Sequence, residues 1–137
     1  MHHRSARSLP AFVALAFVAL TLLAGCGESA TAPRYQPEVS NVANSFAFQA
    51  SALKNVTDIT QYSWRNDGTT ANVNQSPSDL TGTVSLVVLD AAGTQVYSRS
   101  LAQNGTSVTS AGTAGMWTVR INFSNVSGAV NFRLQRP

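Results

Sequence analysis

The chain has one thiol (Cys26), two imidazoles (His2 and His3) and six carboxylates: Glu28, Glu38, Asp58, Asp67, Asp79 and Asp90. Their placement limits the chemistry open to it. Both histidines fall in the opening segment Met1–Ser8, and nothing beyond Cys26 is a histidine or a second cysteine. Residues 27–137 therefore lack the usual zinc and copper ligand sets, the Ser-His-Asp and Cys-His arrangements, and the commonest general base near neutral pH. The four aspartates stand singly, mostly where turns are expected, and hydrogen bonds from their side chains to local backbone account for them there. None lies in a run resembling an EF-hand loop, so neither a metal nor a cofactor is expected. Paired carboxylates for glycoside hydrolysis would have to be brought together by the fold, and two of the six lie ahead of the domain. Cys26 remains as the one nucleophile whose surroundings suggest a covalent fate.

Those surroundings are distinctive. Arg4 and Arg7 precede sixteen residues, Leu9–Ala24, that are almost wholly apolar, and the run ends in Leu23-Ala24-Gly25-Cys26. A positive segment followed by an apolar stretch is the layout of a secretory signal peptide. Sixteen residues fall short of the ~20 that a helix needs to cross a hydrocarbon core, and no basic cluster follows to stop transfer. Small residues at Ala24 and Gly25 leave the backbone open to a peptidase. Together these residues resemble the lipobox of bacterial lipoproteins. The resemblance implies diacylglyceryl transfer to the Cys26 thiol, cleavage before it, acylation of the new amino terminus and a place on the cell envelope. Two or three acyl chains hold a protein stably where one holds it only marginally. Gly27 stands where an aspartate would favour inner-membrane retention, so the outer membrane is the implied destination in a diderm host.

On that reading residues 1–25 are a signal peptide, 26–44 a lipidated flexible tether and 45–137 one domain. The mature part carries seven basic and six acidic residues, a net charge of +1, and offers no electrostatic footprint for nucleic acid. With no cysteine pair to staple it, the domain must be held by its core, and its 93 residues suffice for one.

Period-two alternation dominates that domain and predicts an all-β fold. Phe46, Phe48 and Ala50 share one face; so do Thr60, Tyr62 and Trp64. Asn66-Asp67-Gly68 predicts a hairpin returning through Ala71, Val73 and Gln75, and Pro77–Gly82 a loop. Val84, Leu86 and Val88 form one face of a central strand, Asp90–Gly93 a second hairpin, and Asn104-Gly105 another turn. Trp117, Val119, Ile121 and Phe123 alternate cleanly with polar residues, and Ser124–Gly128 leads to a last strand with Val130, Phe132 and Leu134 inward. Seven or eight short strands imply a single antiparallel β-sandwich, jelly-roll or immunoglobulin-like, with a small closed barrel as the alternative. Residues 114–121 and 127–134 resemble the closing strands of pre-peptidase C-terminal-like jelly-roll domains. That family is associated with accessory roles, which implies no ligand and no site residue here.

Tyr62 and Trp64 are the candidate ligand-binding residues, because aromatic rings on a sandwich can form a platform for sugars and their strand also has a polar face. Tyr97 and Trp117 are further aromatics, the latter expected in the core. Asn55-Val56-Thr57 and Asn125-Val126-Ser127 match glycosylation acceptors, a match read as incidental in a bacterial lipoprotein. The expected function is a lipid-anchored, non-enzymatic binding or scaffolding module whose partner is an envelope protein or glycan. A carbohydrate-binding module using Tyr62 and Trp64 is the first alternative, and a carboxylate-based hydrolase the second.

Overall fold

The computed structural model describes residues 35–137. Alternating apolar and polar side chains place them in seven strands: β1 (Glu38–Val42), β2 (Ser45–Asn66), β3 (Asn72–Gln75), β4 (Ser78–Leu89), β5 (Gln95–Ser100), β6 (Gly105–Val108) and β7 (Gly115–Gln135). The fold is an antiparallel β-sandwich. Its frame is the pairing of β2 with β7, which runs from Ser45 opposite Gln135 to Asn66 opposite Gly115. Each of these long strands serves both sheets. The first half of β2 and the last half of β7 lie between β1 and β3, with β6 outermost. Their other halves join β4 and β5 in the second sheet.

The inward positions of both sheets form one core. Phe46, Phe48, Val73, Phe132 and Leu134 from the first meet Trp64, Val84, Leu86, Val88, Trp117 and Ile121 from the second, all less than 2% exposed. Full burial of such side chains contributes about 1.5–3 kcal/mol each. The Phe48 and Phe132 rings stack at 5.5 Å, and Trp64 meets Trp117 edge to face at 5.9 Å. Each indole N–H is satisfied, Trp64 Nε1 donating to the Val42 carbonyl at 3.1 Å and Trp117 Nε1 to that of Thr113 at 2.8 Å.

The sheets join at a corner where three neighbouring strands bend together. Each has two left-handed residues three apart: Ala52 and Asn55 on β2, Asp79 and Gly82 on β4, Asn125 and Gly128 on β7. The ladders shift register at the same level, as bulges require. Inward positions there recur every three residues, at Ala50, Leu53 and Val56. At its centre Asn55-Val56-Thr57 faces Asn125-Val126-Ser127, with Val56 opposite Val126 and both valines buried. The Asn55 N–H donates to Ser127 Oγ at 3.0 Å and the Asn125 N–H to Thr57 Oγ1 at 2.9 Å. The two sequences that match glycosylation acceptors thus fasten one strand to the other, each hydroxyl accepting from a backbone N–H that a bulge removes from the ladder. Glycine is required where β4 crosses β7, because a Cβ on Gly82 would overlap the Asn125 carbonyl and one on Gly128 that of Asp79.

Several sequence expectations change accordingly. Pro77–Gly82 is not a loop from end to end, since Ser78–Gly82 is strand, and Ser124–Gly128 is the bulged middle of β7. Asn66–Gly68 does not close a hairpin: β3 pairs with β7 and β6, so the chain crosses from one sheet to the other at this point. Glu38–Val42, assigned to the tether, is a strand along the first half of β2. The signal-peptide segment, Cys26 and the residues to 34 lie outside the described residues.

Candidate functional site

Trp64 cannot be a sugar platform. It points between the sheets, is fully buried, and spends its N–H on the Val42 carbonyl. Tyr62 is half-buried, its ring 5.4 Å from that of Phe46 and 6.1 Å from that of Phe48. Trp117 is in the core as expected, and Tyr97 is buried as well. Among the described residues Tyr62 is the one aromatic ring not fully buried, so no two rings form an exposed platform there.

The aspartates serve the fold where their contacts are defined. Asp90 is buried and accepts three backbone bonds, from Thr113 (2.8 Å) on one oxygen and from Thr94 (2.8 Å) and Ala92 (3.0 Å) on the other. These donors, Thr113 foremost, hold its carboxyl below the usual carboxylate range. Asp67 is lowered by Asn44, whose amide donates to it at 3.1 Å, and then by Arg65 at 2.8 Å. Asn44 also accepts from the Asp67 N–H and the Arg136 N–H, tying three chain segments at one end of the sandwich. Asp58 stands beside Tyr35, whose phenol is pushed well above its ordinary value by burial and then by that carboxylate. Among the described residues no three potential metal ligands gather.

A small cleft has several of its polar groups spent on one another. It holds about 90 Å³ between β3, β5 and β6 and is lined by Gln75, Tyr97, Arg99 and Ser107. There the Tyr97 hydroxyl donates to Gln75 Oε1 at 2.6 Å, Gln75 Nε2 donates to the Ser100 and Gln103 carbonyls, and the Arg99 guanidinium lies 5.8 Å from the Tyr97 ring centre. On the outer face of the second sheet Arg120 donates to Gln61 and Asn122 to Ser85.

One place differs. A groove of about 250 Å³ crosses the outer face of the first sheet, lined by Glu38, Ser40, Ala47, Gln49, Asn131 and Arg133 together with Val39 and Phe48. Strand register fixes its layout. Glu38, Gln49 and Asn131 lie side by side across β1, β2 and β7; Ser40, Ala47 and Arg133 form the adjoining row. The small Ala47 side chain leaves the depression between them. Among the described residues the side chains of Glu38, Gln49, Asn131 and Arg133 make no hydrogen bond, and the one ion pair is Arg65–Asp67, away from the groove. Among the described residues the groove therefore presents a cation, an anion and two amides without partners. Sequence reasoning did not find these four residues. Alternation with Phe48 and Phe132 marks Gln49, Asn131 and Arg133 as outward, but only the register makes them neighbours, and Glu38 was counted as tether.

No protein-family model matches the chain, and no curated protein matches its sequence.

Proposed function

We propose that the chain is a lipid-anchored protein of the bacterial cell envelope, displaying a β-sandwich that binds an envelope component through the groove over Ala47 and catalyses no reaction. The observation that carries the address is the sole cysteine at the end of Leu23-Ala24-Gly25-Cys26, after an apolar run too short to span a bilayer. The binding role is supported by the groove itself, which brings a carboxylate, a guanidinium and two amides with no hydrogen-bond partner among the described residues to one depression. An aromatic sugar platform on Tyr62 and Trp64 has no support left, since Trp64 is buried.

On this reading the free tether is short. Tyr35 is buried, with its ring 5.2 Å from that of Phe123, so the folded domain begins by Tyr35 and at most nine residue steps separate it from Cys26. Nine residue steps reach about 30 Å when extended and average about 16 Å as a coil, half the extended reach of a tether ending at Asn44. The sandwich then stays close to the headgroups.

Metabolic labelling with palmitate tests the anchor: the wild-type chain should take up label, and Cys26→Ser should stay unlabelled and unprocessed. Label on Cys26→Ser would refute the anchor. A photo-crosslinking residue at Gln49 should trap an envelope component that the same residue at Arg99 does not; identical products would remove the groove from the reading.

A further inference from the structure

The groove's layout also bears on the class of its ligand, an inference that rests on the groove being the binding site. Strands in a sheet lie about 4.8 Å apart, and alternate residues along one are about 7 Å apart, so the backbone at Glu38 is roughly 12 Å diagonally from that at Arg133. The register places Gln49 and Asn131 across the interval, in line with Glu38. A guanidinium at one end matches a carboxylate through paired N–H donors. A carboxylate at the other end matches an ammonium group. A side-chain amide offers one C=O and one NH₂, the complement of the N–H and C=O of a peptide group. The one aromatic residue lining the groove, Phe48, is buried in the core, so the groove offers no ring on which a sugar would stack.

We infer that the groove takes a short zwitterionic peptide of about three residues, carboxylate on Arg133, amine on Glu38 and peptide groups on Gln49 and Asn131. An extended tripeptide is about 10 Å long, which matches the span once side chains lean inward. The step is reversible association, with no bond made or broken.

Calorimetric titration of the full chain in detergent with tri-alanine tests this. Tri-alanine should bind, and Ala47→Leu, which fills the groove, should abolish binding without changing the melting temperature. N-acetyl-tri-alanine should bind about fivefold more weakly than tri-alanine to the wild-type chain, but equally to Glu38→Gln; the C-terminal amide should behave likewise with Arg133→Gln. That factor is the size expected of a solvent-exposed charge pair. No binding of tri-alanine up to about 10 mM overturns the inference, as does equal binding of all three peptides. Binding of triacetylchitotriose that Ala47→Leu abolishes, with none of tri-alanine, would overturn the peptide class while keeping the groove as the site. Loss of the Gln49-specific crosslink would instead remove the site itself.

Discussion

The corner between the sheets and the groove over Ala47 are both rich in asparagine, serine and other small polar residues, yet they treat hydrogen bonds in opposite ways. At the corner each free backbone N–H of the two Asn-Val-Ser/Thr segments meets a hydroxyl from the other. In the groove two amides, a guanidinium and a carboxylate face outward with no partner among the described residues. Composition does not separate the two places. What does is whether donors and acceptors are matched within the fold, because buried or ladder-displaced backbone groups must be satisfied whereas exposed side chains can be left to a ligand.

If that distinction holds, substitutions at the corner should lower stability and leave binding alone, and those in the groove should do the reverse. The largest effect is expected from Gly82→Ala or Gly128→Ala. Each adds a Cβ that overlaps a carbonyl at a positive φ, a loss of about 3 kcal/mol or more measurable by chemical denaturation. Val56→Ala or Val126→Ala should cost about 2 kcal/mol, for two buried methyl groups each. Thr57→Val and Ser127→Ala should each cost about 1 kcal/mol; no change would mean that water replaces the hydroxyl and the fastening is incidental. The smallest change in stability, within about 0.5 kcal/mol, is expected for Gln49→Ala and Arg133→Gln, while Arg133→Gln should weaken tri-alanine. A groove variant that unfolds the protein would erase the distinction.

Acid sharpens it further. The Asp90 carboxyl is lowered in the folded state, so its contribution to stability is complete above the ordinary carboxylate value of about 4 and is lost as pH falls through the lowered folded value. Asp90→Asn should flatten the acid limb of a melting-temperature profile. An unchanged profile would assign that limb to other carboxylates.

The sequence made the regular stretches legible because burial on one face writes itself as period two. Phe46 with Phe48, Val84 through Val88, and Trp117 through Phe123 are where alternation placed them. It misled at the corner for a physical reason: left-handed residues three apart change the inward period, and asparagine, aspartate and glycine supply that conformation in turns as well as in bulges. β1 is hard to tell from a tether because all five of its residues are exposed, which leaves no alternation to see. The groove was illegible for a third reason, since it is made by register between Glu38 and Arg133, ninety-five positions apart.

The sharing of β2 and β7 between both sheets also governs when the domain can fold. Neither sheet can be completed from the strands before β7, and closing the frame means joining Ser45 to Gln135. Such distant pairings make folding slow and all-or-none, without a half-domain that could close first. β7 therefore acts as a timer: β2, β3 and β4 lack their common partner, and the sandwich cannot lock, until β7 is in place.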